Sequence, residues 1–271
     1  MAREAHGGGL FGPDSVTWRV NREAVLLAGG ARALILQVSH PSVAAGVAQH
    51  SDYDTDPWGR LYRTLDLTTK ITFGDAETSD RAARILRGAH HRVNGERSDG
   101  ASYDARDPDL LLWVWATLVE SSLLMYTRYV QPLGPADVER YYAEQQRFAV
   151  ACSVPEGHWP SGHAAFMDYF DTTVRDALHP TDDSRAIVDS VMHPSLPLPV
   201  RPVFDLVNLA TVGLLPPVLR ERLGLSWGPN RERLLAASTA ATRRALPLLP
   251  GLLREFPVAR RASRRARQLA A

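Results

Sequence analysis

The stretch Arg81-Ala-Ala-Arg-Ile-Leu-Arg-Gly-Ala-His-His-Arg-Val-Asn-Gly95 has apolar residues at helical spacing and helix-end signals on both sides. Thr78, Ser79 and Asp80 can cap its start, because short polar side chains accept the free N–H groups of a first turn. Asn94 and Gly95 can end it, since both tolerate the left-handed backbone of a helix C-cap. On this predicted helix His90 shares a face with Ala83, Leu86 and Val93, whereas His91 falls with Arg84 and Arg87 on the wetter side. An imidazole turned into an apolar interior is either a hydrogen-bonded core residue or a ligand to something held there. Residue type alone leaves both readings open.

Outward from this segment the chain keeps the helical period. Trp18–Leu27, Gly30–Val38 and Pro41 to about His50 read as helices, and Asp56-Pro57 opens another that closes at Gly74. Glu96–Asp107 reads as a polar loop. Asp107-Pro108 then begins a long apolar helix to about Val130. Gly134-Pro135, Ser161 and Asp182 start three more, followed by pieces at Val203–Leu215, Val218–Leu223 and Arg231–Leu246. No internal repeat and no long period-two alternation occurs, so the expectation is all-α, with at most a minor strand or hairpin. At 271 residues the chain fits a single multi-helix globular domain spanning 1–271, with 1–12 and 258–271 read as flexible ends.

Composition narrows the function. Net charge is +1 and 45% of residues are hydrophobic, which gives no general electrostatic case for nucleic acid. Cys152 is the single cysteine, so no internal disulfide or thiolate cluster is expected. No apolar leader is seen at the start, and Leu110–Tyr126 is interrupted by Glu120, Ser121 and Ser122. A cytoplasmic protein without an integral membrane span is therefore expected. The Arg-rich stretch after Val258 reads as a solvated helix end, with an acidic partner or membrane surface as the other reading.

Several motifs resemble known sites and lack the context for them. His6-Gly7-Gly8-Gly9 and Gly224-Leu225-Ser226-Trp227-Gly228 imitate an oxyanion loop and a nucleophile elbow, yet a helical segment precedes Ser226 and Pro229 follows directly. Asp52, Asp54 and Asp56 alternate as in a calcium loop but lack its Gly and terminal Glu. No zinc spacing occurs among the histidines. A metal carried inside a porphyrin needs only one axial histidine, and that possibility stays open. Arg60, Arg63, Thr64, Arg87, His90 and Arg92 could furnish a macrocycle lying between two antiparallel helices. Equally, Arg60, Arg63, Arg84 and Arg92 could form a solvated face pairing with Asp66, Asp75 and Glu77.

The runs Gly12-Pro13-Asp14-Ser15, Leu36–Val47, Arg60-x-x-Arg63-Thr64, Phe73-Gly74, His90-x-x-Val93-x-Gly95, Tyr103-Asp104-Ala105-x-Asp107-Pro108 and Trp113-Val114 together resemble the rubber-oxygenase family. That family takes in latex-clearing proteins, the membrane-bound oxygenase of mycophenolic acid biosynthesis and many uncharacterised actinobacterial proteins. The resemblance implies an all-helical domain holding haem b in a pocket between core helices. His90 would be the proximal iron ligand, Arg87 would match an arginine one turn earlier, and Arg60, Arg63 and Thr64 would match a distal Arg-x-x-Lys-Thr element. Arg63 stands where that element has Lys. A neutralised Lys can sit over iron, whereas Arg stays protonated and ligates poorly. The carboxylate base proposed for rubber oxygenases has no match, so rubber cleavage itself is not implied.

The expected activity is haem-dependent oxidation of a small hydrophobic substrate, isoprenoids included. Dioxygen or peroxide would be the oxidant, and a redox partner is allowed for. Arg63 and Thr64 would orient bound oxygen, and Arg60, Arg87 or Arg92 would hold the propionates. Two other readings stay open: a haem-binding protein without oxygenase turnover, and a haem-free helical interaction protein in which His90 is a core residue.

Overall fold

The computed structural model describes residues 9–51, 57–194 and 198–270, with the side chains of 57, 58, 60–62 and 270 outside the description. Its axis is α6 (Pro108–Tyr129), the long apolar helix anticipated from Asp107-Pro108. Asp107 caps it by accepting from Asp109 N at 2.8 Å, and Pro108 sits at the first position, where a missing N–H costs nothing. The helix buries Leu112, Trp113, Trp115, Ala116, Val119 and Tyr126 on several faces. By length and composition α6 could cross a membrane, but two-thirds of its most apolar window is covered by the rest of the fold. It is a core helix, and each indole finds a carbonyl: Trp113 Nε1 donates to Leu36 O (3.3 Å) and Trp115 Nε1 to Gln145 O (3.1 Å).

Three layers cover α6. α2 (Leu27–Val38) lies along one side and carries Arg32, which is 2% exposed. Arg32 donates to both carboxylate oxygens of Glu120, to Ser121 Oγ at 2.6 Å and to Leu214 O at 2.8 Å. On another side, α7 (Pro135–Ala151) and α8 (His163–Asp176) pack Tyr142, Phe166 and Phe170 around Trp113 and Trp115, with ring centroids 5.1–5.8 Å apart. The remaining cover of α6 comes from α1 (Val16–Asn21) and α12 (Pro229–Ala245), while α3 (Pro41–His50), α9 (Asp182–Met192) and α10 (Arg201–Gly213) pack on α2, and α11 (Pro217–Arg222) follows α10.

The expected helix Trp18–Leu27 is broken. α1 ends at Asn21, and Glu23 adopts an extended backbone before a short 3-10 turn at Ala24–Leu26. The cause is an ion pair from the far end of the chain. Glu23 is buried, and both of its carboxylate oxygens accept from Arg254 at 2.7 Å. Arg254 closes α13 (Gly251–Arg254), which the periodicity did not predict. Residues 258–271, read from sequence as a flexible end, include most of α14 (Pro257–Ala270). Ala259 and Ala262 are buried there, and Arg265 Nη2 donates to Phe73 O at 2.9 Å. The C-terminal segment is thus docked.

Gly224–Gly228 follows α11, with Gly224 at φ +68°, and leads into α12. The only sheet among the described residues is a two-stranded antiparallel ribbon. Ser226 therefore lacks the strand–turn–helix setting of a nucleophile elbow. The first part of the other imitation, His6–Gly8, lies outside the described residues, as do Asp52, Asp54 and Asp56.

Candidate functional site

Two antiparallel helices frame the candidate site. α4 (Pro57–Phe73) and α5 (Ala76–His90) are joined by Gly74-Asp75. The cap of α5 is Asp75, which accepts from Thr78 N at 2.9 Å, rather than the Thr78-Ser79-Asp80 cluster expected from sequence. Ser79 is turned inward and donates to Ile71 O at 3.0 Å. That bond sets the register of the hairpin. Continued along the pair at equal rise, it places His90, in the last turn of α5, level with the first turns of α4, which carry Arg60, Arg63 and Thr64.

α5 ends at His90, with His91 as its C-cap, so Asn94-Gly95 is not the helix stop anticipated. Those residues open β1 (Asn94–Glu96), which pairs with β2 (Ser102–Asp104) in the register Asn94↔Asp104, Gly95↔Tyr103 and Glu96↔Ser102. Glycine is needed at 95 because of crowding. A Cβ there would lie 2.8 Å from Gln49 Oε1 and 3.0 Å from the Tyr103 hydroxyl. β2 also replaces part of the loop read over Glu96–Asp107. The ribbon holds the exit of α5 against α3, where Val93 packs on Gly46 and His50 Nε2 meets Asn94 O at 3.1 Å.

His90 lies on the inner face of α5 with Ser79, Ala82, Ala83 and Leu86, as its spacing predicted. Its Nδ1 is enclosed and has no hydrogen-bond partner. Burial, and secondarily His91, pushes its pKa below the usual histidine range, which favours the neutral imidazole that a metal requires. An enclosed polar nitrogen without a partner costs about 1–3 kcal/mol, and a bound water, ion or ligand is one way such a cost is offset. His91 is exposed, in agreement with its predicted side.

The cationic candidates divide. Arg87 is not on the wetter side. Its Nη1 donates to Ala151 O at 3.2 Å, at the end of α7. It stands near Cys152, whose thiol burial pushes up to about 12 while Arg87 opposes the shift. Arg63, Thr64 and Arg92 are exposed. The Thr64 carbonyl accepts from Thr68 Oγ1 at 2.9 Å. The Arg60 side chain lies outside the described residues. Of the acidic residues offered as partners for a solvated arginine face, Asp66 pairs with Lys70 at 2.6 Å, Glu77 pairs with Arg81, and Asp75 caps α5. Among the described residues no three metal-binding side chains converge.

Two features were not singled out from the sequence. His40, the N-cap of α3, also has an enclosed Nδ1 without a partner. Burial lowers its pKa most, then Arg97 and His179, while Asp107 opposes them. Only its place before Pro41 hinted at a fixed position. The second is a cavity of about 130 Å³ between α2, α4, α6 and α7. Its α4 wall is Leu65, Thr68, Thr69, Thr72 and Phe73, and the three threonine hydroxyls donate to carbonyls of their own helix. The wall is thereby made apolar in effect. His90 does not line this cavity.

The catalytic-domain model of the ER-bound oxygenase mpaB/B′ and rubber oxygenase family matches residues 18–245. The chain belongs to that family. An uncharacterised protein of Mycobacterium tuberculosis is 32% identical over 230 residues, covering 80% of this chain and 87% of its own, and an uncharacterised protein of Mycobacterium bovis matches to the same extent. No solved structure matches significantly. As a member of the mpaB and rubber oxygenase family the chain carries an oxygenase catalytic domain. That domain contains all of α4, α5 and the ribbon.

Proposed function

We propose that this protein is a haem b-dependent oxygenase of small hydrophobic substrates, isoprenoids among them, with His90 as the axial iron ligand. The supporting observation is His90: it lies on the inner face of α5, its Nδ1 is enclosed and without a partner, and burial favours its neutral form, in a chain whose domain is an oxygenase catalytic domain. The residues at hand suit the cofactor. His90 would hold the iron, and Arg87, Arg60 and Arg92 would supply guanidinium groups for its carboxylates. When bound, haem would supply the activation of dioxygen, or of peroxide, that no side chain provides.

The chain's own groups have narrower tasks. A guanidinium can only donate, so Arg63 would orient and polarise an oxygen species without acting as base or ligand. The Thr64 hydroxyl can donate and accept at the same level of the hairpin. The cavity beyond them along α4, open to solvent at its mouth, has room for a short hydrocarbon fragment against the α4 wall.

The test is the visible spectrum of protein produced with haem supplied, beside His90→Ala and His91→Ala. A Soret band in the wild type and His91→Ala that is lost in His90→Ala is expected. A full band in His90→Ala overturns the ligand assignment, and no band in any of them overturns haem dependence. Oxygen uptake with reductant and a hydrophobic alkene then separates an oxygenase from a haem carrier without turnover.

A further inference from the structure

Past α12 the chain presents leucines to solvent where the fold offers them nothing to pack on. In Leu246-Pro-Leu-Leu-Pro-Gly-Leu-Leu-Arg254 only Leu246 is buried. Leu248 is 83% exposed, Leu252 67% and Leu253 65%, and Leu249 is exposed as well. The segment is firmly held. Arg254 makes its two-pronged contact with buried Glu23, Phe256 N donates to Arg22 O at 2.9 Å, and Leu253 N donates to Pro250 O at 2.9 Å. Pro247 and Pro250 fix φ at two further points. Little conformational entropy is left to lose when this knob meets an apolar phase.

A second feature lies one turn earlier. Arg243 and Arg244 close α12 and, with Arg128 from the last turn of α6, line an open groove of about 660 Å³ whose apolar residues include Leu214 and Leu235. Its one acidic lining residue, Glu232, already accepts from Trp227 Nε1 at 2.7 Å. Three guanidinium groups thus line one groove, two of them on the turn of α12 that leads into the leucine segment, and planar guanidinium pairs with phosphate oxygens two at a time. Exposed leucines rimmed by arginines are the composition of an interfacial membrane contact.

The geometry points to a peripheral membrane-docking site: Leu248, Leu249, Leu252 and Leu253 enter the acyl boundary of an anionic bilayer while Arg128, Arg243 and Arg244 take its headgroup phosphates. This inference stands apart from haem binding and uses none of the hairpin residues.

Sedimentation of the full chain with vesicles of phosphatidylcholine, alone or mixed with phosphatidylglycerol, tests it. Wild type should bind the mixed vesicles about tenfold tighter than the neutral ones. Leu248→Ser/Leu252→Ser/Leu253→Ser should weaken binding about tenfold or more. Arg243→Gln/Arg244→Gln should weaken it several-fold on mixed vesicles only, and this pair decides the matter independently if the leucine variant fails to fold. Val150→Ser, an exposed apolar residue on α7, should change nothing. Failure of wild type to bind either vesicle overturns the proposal, as does a folded leucine variant that binds like wild type. So does a wild-type dimer that the leucine substitutions dissociate, which would assign the knob to a second copy of the chain.

Discussion

Replacing Glu120 by Ala should be among the most damaging single changes outside the candidate site. Arg32 is 2% exposed, and its guanidinium has four acceptors: the two Glu120 oxygens, Ser121 Oγ and Leu214 O. Only Glu120 among them is charged. Burial pushes the Glu120 carboxyl up, and the Arg32 guanidinium opposes that shift. Removing the carboxylate strands a buried cation with neutral partners, a loss of about 3–5 kcal/mol. At about 2–4 °C per kcal/mol for a chain this large, the melting temperature should fall by about 6–20 °C. Glu120→Gln keeps the shape, strands the same charge and should fall in the same range. Arg32→Met/Glu120→Met removes both ions together and should recover to within about 1–2 kcal/mol of wild type, the remaining loss being that of the Leu214 carbonyl and the Ser121 hydroxyl, which both lose their donor. Urea unfolding and calorimetry measure all three. A loss under about 1 kcal/mol for Glu120→Ala, or a double variant no better than the single, would refute the argument that an uncompensated charge sets the cost.

Other outcomes follow from single contacts. Gly213→Ala would place a Cβ 2.6 Å from Leu235 Cδ2 and into the Trp227 ring, and should cost about 1–3 kcal/mol in thermal unfolding. The folded chain holds the His40 pKa down, chiefly by burial, so the unfolded chain takes the proton more readily. Stability contributed by His40 is therefore full above pH 6.5 and lost as pH falls below it, and His40→Gln should flatten that slope in melts across pH 5–7.5. The Cys152 thiol, pushed up to about 12, should react with a disulfide reagent at pH 8 about a hundredfold more slowly in the native protein than in urea.

Most of the fold was legible because its punctuation is local. Pro41, Asp107-Pro108 and Gly134-Pro135 each fix a helix start through one missing N–H or one capping oxygen, and α3, α6 and α7 begin where those residues say. The misreadings share a cause: one local signal served two structures. Asn94-Gly95 suits a helix C-cap and a tight strand crossing equally, and only Tyr103 and Gln49 from elsewhere decide for the ribbon. Asp75 and the Thr78–Asp80 cluster all offer capping oxygens, and the inward turn of Ser79 toward Ile71 settles which is used. Glu23 looked like one more residue of a helix until Arg254, 231 positions later, claimed it. At the site, periodicity correctly turned His90 inward and His91 outward. It could not show that Arg87 reaches Ala151, because that contact depends on where α7 ends in space.

The docking of α14 onto α4 separates two notions of where the domain stops. Similarity to the mpaB and rubber oxygenase family ends at residue 245, whereas the chain beyond it supplies the partner of Glu23 and the donor to the Phe73 carbonyl. Both acceptors lie in the first third of the sequence. During synthesis at about 5–20 residues per second, the early helices emerge well before the residues that finish them. The framing helix α4 must wait, with its Phe73 carbonyl still seeking a donor, until α14 arrives. A chain cut at the similarity boundary would leave that wait without an end, and its candidate site would rest on a helix whose terminus stays frayed.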